Sequence, residues 1–447
     1  MSDSRATKVQ DLDRHLTLVP AAALAVTTVI GGGALVLPGA ALQKAGSTAL
    51  LGWILAAVIT IPLIAVFARL GSRYPSAGGV AGFVQAAFGR HCAAGVEVVL
   101  IGTFGLGMPA IALSGGGYLG AVFGWSPAYS WVGALILLAL AAAMLLSGGR
   151  VSSKVQAVLA AALTVGLAVA GVIGLANPHA DFVAPALTAG AWEQALTVVG
   201  IVFFAFTGWE IIAFTTAEYR NPQRDFPRAV AISYVVVVGV YILVAAGVQA
   251  TLDPNDPAAE SSPVAAVIRV AISPTAASLV AVLGVVILAA NLIGAMWGAS
   301  RLIYSSASHR LLPRQLSVLS GSQRTPAAAI IATACLFVVV TGISAVGVMT
   351  PPTMFMVAGQ NFFLLYLLSA VVFVRVAQSR TGRICGVIIA VGLGAVVVAG
   401  FQWLMILYAA ALFGLGVLLS IRGSRRLTAR ENAAGIPVAT SSTEGTG

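Results

Sequence analysis

A chain of 447 residues that is 59% hydrophobic and only 9% charged, with a mean hydropathy of +0.99, has too little polar surface to face water as a soluble domain. Its net charge of +10 invites a nucleic-acid reading, but the basic residues gather between apolar runs, so the charge reports membrane topology and no nucleic-acid partner is expected. Cys92, Cys335 and Cys385 sit in or at the ends of apolar runs as small buried hydrophobes, and His15, His91, His179 and His309 are scattered. Neither a metal site nor a cofactor is expected from those spacings, and no nucleophile stands beside a base as an enzyme would require.

Crossing about 30 Å of hydrocarbon takes roughly 20 helical residues. Twelve apolar runs meet that need: 16–42, 48–70, 92–123, 130–147, 155–175, 194–215, 229–250, 277–305, 326–348, 355–377, 384–400 and 403–421. The first is too long for a signal-peptide core and follows a segment bearing Asp3, Asp11 and Asp13, so it reads as a retained span. Of the 24 Lys and Arg, Lys44 and Arg269 alone fall in the alternate loops, leaving 22 on the side of the two termini. The positive-inside rule places both termini in the cytoplasm. The expected fold is therefore an all-α integral membrane protein of 12 transmembrane helices. Residues 1–15 form a cytoplasmic N-terminal segment, 16–421 the membrane-spanning domain, and 422–447 a basic, then Ser/Thr-rich, disordered tail.

The first run reads LTLVPAAALAVTTVIGGGALVLPGAAL, with Thr27 and Thr28 ahead of Gly31, Gly32 and Gly33. Each glycine costs a helix about 1 kcal/mol relative to alanine. Contiguous glycines, unlike a spaced packing stripe, predict a helix that breaks and turns freed amides toward a ligand. Pro75 and Gly78-Gly79 punctuate a turn, and Gly79 to Phe88 predicts a short half-apolar helix at an inner gate. Glu97 opens the third run near Arg90 and His91, which are its expected partners, and Lys154 anchors the mouth of the fifth.

The sixth run, beginning FFAFTGWE at Phe203, carries a second break at Thr207-Gly208 and a carboxylate, Glu210. An acid at mid-bilayer costs about 2.5–3.5 kcal/mol and so faces protein or a wet cavity. The breaks fall in the first helix of each of two five-helix halves, about 16–175 and 194–377, and such paired interruptions point to a transporter binding site. A half-helix starting after a break offers N–H groups to a carboxylate, and one ending before it offers carbonyls to an ammonium. A zwitterionic amino acid needs both. Further along, Asn291 stands in the eighth run, Arg301 reads as an interfacial anchor, and Gln360-Asn361 face the bundle from the tenth.

GGGALVLPG at Gly31, RYPSAGGVAGFVQAAFG at Arg73, FFAFTGWE through EYRNPQRDFPRA at Phe203, and SRLIYSSASHRLLP at Ser300 occur together in this order. The chain resembles the amino acid–polyamine–organocation permease superfamily, and within it bacterial exporters of neutral L-amino acids of the methionine and branched-chain type. The resemblance implies a five-plus-five inverted repeat with broken helices 1 and 6, two extra helices at about 384–421, and alternating access in a bacterial cytoplasmic membrane. It implies that Gly31, Gly32 and Gly33 hold the substrate carboxylate, that Phe204 is a lid, and that Glu210 senses or couples protons. With them, Thr28, Phe203, Phe206, Thr207 and Gly208 complete the candidate substrate residues. The implied activity is efflux of methionine, leucine, isoleucine or valine by proton antiport. An importer or exchanger of amino acids or amines on the same scaffold, or a membrane sensor, are the alternatives. Some members carry a lysine inside the fifth span in place of sodium; here the matching stretch VQAVLAAALTV has none, and Lys154 lies too early.

Overall fold

The computed structural model describes residues 17–73, 79–148, 153–179, 188–209, 221–320 and 325–433. Every regular element among them is helical, and eleven helical stretches are long and apolar enough to cross a membrane. The first apolar run is not one helix. Helix α1 (Leu18–Val29) ends where the glycines begin, and α2 (Gly33–Ala45) starts after them. Pro20 is tolerated in the first turn of α1, where its missing N–H has no partner to lose. A 3-10 turn with Gly46 at φ 51° then leads into α3 (Ala49–Arg73). The short helix expected at the gate is α4 (Gly79–Phe88), with Val80, Phe83 and Val84 buried. Gly89, at φ 84°, turns the chain into α5 (Arg90–Phe123).

Helix α5 is the axle of the bundle. Small residues let its neighbours approach on several sides: Gly95 lies under the Phe413 ring, and Gly116 meets Gly133 of α6 (Ser130–Leu146) backbone to backbone. Helix α7 (Ser153–Ala176) packs outside it, with Gly171 and Gly174 against α9 (Pro222–Thr251) at Leu243 and Gly247. Between them in sequence comes α8 (Ala189–Val202), capped by Thr188, whose Oγ1 accepts from Ala191 N at 3.3 Å. The later helices are α12 (Pro274–Ser308), α13 (Ala327–Ala345), α14 (Pro351–Val376), α15 (Arg380–Gly400) and α16 (Trp403–Ala433). Helices α12, α14 and α16 all lie along α5. Cys335 and Cys385 are exposed rather than buried, because α13 and α15 present them on faces turned away from the bundle; Cys92 is half-buried.

Two short helices that the apolar pattern does not announce precede α12: α10 (Pro257–Ser261) and α11 (Pro263–Ala271). Both begin with proline at the first position, where a fixed φ suits a helix start, and Asp256 caps α10 by accepting from Ala258 N at 2.8 Å. Arg269 reaches back to Asp256 at 3.4 Å. Glycines make the seat. A Cβ on Gly39 of α2 would stand 2.8 Å from Pro263 Cβ and closer still to the Ala259 backbone, and one on Gly117 of α5 would stand 2.7 Å from Ser261 O. The α10 helix is thus a plug set directly on the backbones of α2 and α5 at one end of the bundle.

Burial in that plug raises the Glu260 carboxyl above its ordinary value. The folded seat binds this proton more tightly than the unfolded chain, so its contribution is full below the ordinary pKa near 4.5. It is lost as pH rises through the higher folded value. Melting curves of Glu260→Gln are expected to lose part of the wild-type fall in stability between acid and neutral pH; parallel curves would remove Glu260 from this role.

Candidate substrate site

The break in the first run leaves Gly31, Gly32 and Gly33 N–H without a described acceptor, because α2 begins here and its first turn has no carbonyl behind it. The carbonyls of Gly31 and Gly32 are already engaged, by Ala34 N and Leu35 N at 3.1 Å each. What remains is a fan of donors at the positive end of a helix. The space over them is measured by where side chains would go. A Cβ on Gly31 would lie 3.1 Å from Asn291 Nδ2; one on Gly32, 2.7 Å from Leu288 Cδ2 and 3.2 Å from Ile111 Cγ2; one on Gly33, 3.3 Å from the Phe204 ring. Elements α5, α12 and the 203–206 turn therefore converge on the glycines.

The second break has matching form. Helix α8 tightens into a 3-10 turn, Phe203–Phe206, and Thr207-Gly208 then leaves helical geometry. Gly208, at φ 110°, occupies a region that residues with a Cβ rarely enter. Thr207 closes the turn by donating its hydroxyl to Phe204 O at 2.8 Å. The three phenylalanines part company here. Phe204 swings toward the glycines and toward α5, where a Cβ on Gly107 would stand 2.7 Å from its ring and 3.4 Å from Ala358 Cβ of α14. Phe203 packs on Phe363 at 4.8 Å and Tyr366 at 5.8 Å, while Phe206 packs on Tyr241 at 5.3 Å and Trp53 at 6.0 Å. Both line a narrow gap against Thr60, Leu63, Ile64 and Phe67 of α3, on a different side from the glycines. Thr28 lies in α1 but its side chain is outside the described set, and Glu210 lies outside the described residues altogether.

One residue ties the two breaks together and has no motif to reveal it. Tyr241, fully buried on α9, places its hydroxyl 3.0 Å from Val29 O, at the end of α1, and 2.9 Å from Ala205 O, in the 3-10 turn. A single O–H thus answers two helix-end carbonyls. On α14, Gln360 and Asn361 are buried as expected; Gln360 abuts Gly200 of α8, and Gln360 Oε1 and both amide atoms of Asn361 lack a hydrogen bond among the described residues. Arg301 lies over the Trp297 ring at 3.7 Å. Glu97 takes its partners from α12 rather than from Arg90 or His91: Ser306 donates to its Oε2 at 2.7 Å and His309 Nδ1 stands 3.9 Å from Oε1. His91 turns instead to Ser420, at 2.9 Å.

Free amides on one side, apolar side chains from Leu288, Ile111 and Phe204 on the others, and helix ends held open at the centre of a membrane bundle define a carrier for a small molecule. The chain belongs to the amino acid permease family, whose profile matches residues 16–429. An amino acid permease of Bacillus subtilis (strain 168), YecA, is 28% identical over 333 residues, 73% of this chain and 77% of the relative. The L-methionine/branched-chain amino acid exporter YjeH of Escherichia coli (strain K12) is 34% identical over 238 residues, 52% of this chain and 55% of the exporter. The serine/threonine exchanger SteT of Bacillus subtilis is 24% identical over 243 residues, 53% of this chain and 55% of the exchanger.

Proposed function

We propose that this permease is a secondary transporter that moves neutral L-amino acids of the methionine, leucine, isoleucine and valine type out of the bacterial cell, exchanging them for protons by alternating access. The observation that carries the reading is the fan of unpaired amides at Gly31–Gly33 facing the Phe204 ring. The amides suit a carboxylate, and the aliphatic and aromatic walls suit an apolar side chain better than a charged one. The likeness to the methionine and branched-chain exporter supports the same substrates and direction. In this reading Phe204 is the lid over the bound substrate, and Thr28, Thr207 and Gly208 border it. Phe203 and Phe206 set the position of the turn that carries the lid. The halves 16–175 and 194–377 act as the two repeats, and both termini lie in the cytoplasm.

Cells preloaded with leucine- or methionine-containing dipeptides are expected to release the free amino acid faster when they express the protein, with the difference abolished by a protonophore. If release is unchanged while uptake of labelled amino acid rises, the direction is wrong and the importer reading takes its place. Release that needs an external amino acid favours exchange, which the likeness to SteT supports. The proton role of Glu210 has its own check: Glu210→Gln is expected to flatten the pH dependence of efflux, and a wild-type profile would take the role from it.

A further inference from the structure

Of the described side chains nearest Gly31, Gly32 and Gly33, Asn291 of α12 is polar, while Leu288, Ile111, Leu37 and Phe204 are apolar. Its neighbours on the same helix face, Leu288 and Ala295, are apolar. Its amide lies directly over the break, with Nδ2 3.1 Å from the Cβ position of Gly31 and Oδ1 3.6 Å from that of Gly32. No described residue gives it or takes from it a hydrogen bond, and it keeps partial access to solvent where Leu288 and Leu292 beside it are buried. An amide in an apolar wall that has no protein partner and can still be reached from the cavity is available to hydrogen-bond a ligand there.

We propose that Asn291 is a specificity-determining residue of the permease: its Nδ2 donates to the substrate carboxylate lying on the Gly31–Gly33 amides, so that an α-carboxylate is required and the corresponding amine is rejected. This rests on the amino acid reading above. The backbone amides are on one flank of the carboxylate and Asn291 on the other, so the two flanks together fix its orientation. Helix α12 belongs to neither break, so carboxylate recognition also spans the gap between the broken first run and the body of the bundle. An amine that lacks the carboxylate leaves both flanks unpaired, which is the condition under which a polar site discriminates strongly.

The test uses purified full-length protein, with leucine and its carboxylate-free counterpart 3-methylbutylamine as probes, read both by ligand-induced shift of the melting temperature and by flux in liposomes. For Asn291→Leu the expected result is a KM for leucine raised about 10-fold to 100-fold, the range for one hydrogen bond to a charged group. The kcat and the unliganded melting temperature stay near wild type. Asn291→Asp sets a second carboxylate against the first; leucine binding is expected to fall further and protection by 3-methylbutylamine to appear. Wild-type KM and leucine protection in both variants would overturn the role of Asn291 alone. A lowered melting temperature with unchanged KM would overturn it too, showing an amide that only props the break. If no amino acid shifts or crosses with the wild type, the amino acid reading falls and this inference with it.

Discussion

Gly32→Val is expected to reduce kcat/KM for the transported amino acid about 100-fold or more while the protein still folds and inserts. The backbone at Gly32 is ordinary right-handed helix, φ −57° and ψ −28°, so valine meets no conformational penalty there. What it meets is side chain: Leu288 Cδ2 at 2.7 Å and Ile111 Cγ2 at 3.2 Å from the new Cβ. Both are flexible ends that can shift by a few tenths of an ångström, so the fold survives. The two added methyls then stand over the free amides and displace the carboxylate. Losing two hydrogen bonds to a charged group, each about 1.5–3 kcal/mol, amounts to about 3–6 kcal/mol, which sets the expected factor. Gly32→Ala, adding one carbon, should fall between. Flux in liposomes and ligand-induced melting shifts measure the effect. Wild-type kinetics in the valine variant would mean that the glycines serve helix packing and that the substrate lies elsewhere.

The second large effect is expected from a single oxygen. Tyr241→Phe keeps the ring that packs edge-on against Phe206 at 5.3 Å and Trp53 at 5.5 Å, and removes only the hydroxyl. Val29 O and Ala205 O lose their donor in a fully buried place. One hydroxyl can satisfy one acceptor fully or two in part, so the expected loss of stability is about 1–3 kcal/mol, the cost of leaving a buried polar group unpaired. Transport should fall further than stability does, about 10-fold or more, because the two carbonyls belong to the two broken segments that flank the proposed substrate site. A Tyr241→Phe protein with unchanged melting temperature and unchanged flux would show that neither carbonyl depends on the hydroxyl.

Both breaks were legible in the sequence for a local reason. Three adjacent glycines weaken a helix and a glycine after a threonine opens it to positive φ, and the helical runs end beside them, at Val29 and at Phe206. The short helix Gly79–Phe88 was legible in the same way, from Pro75 and the Gly78-Gly79 pair in the sequence before it. What the sequence could not display is who stands opposite. Tyr241 and Asn291 are a tyrosine and an asparagine in long apolar runs, and only packing brings one to the helix ends and the other over the glycines. Glu97 shows the same limit from the other side. Proximity in the chain suggested Arg90 and His91, whereas Ser306, 209 residues away, is the donor. The three phenylalanines after Val202 could not be told apart by composition, because which ring faces the glycines depends on the 3-10 twist of the turn. Helices α10 and α11 escaped notice because each is shorter than any membrane span, although Pro257 and Pro263 mark their starts.

A carrier driven by an ion gradient works only while the gradient has no other way through, and the plug formed by α10 bears on that requirement. At Gly39 and Gly117 the seal is peptide backbone against peptide backbone, with no room for a side chain. Such a contact leaves no width for a file of water along which protons could hop. In the proton-coupled reading proposed above, the seats would act as electrical insulation at this end of the bundle, and a wedge there, even one as small as a methyl group, would turn a coupled carrier into an uncoupled leak.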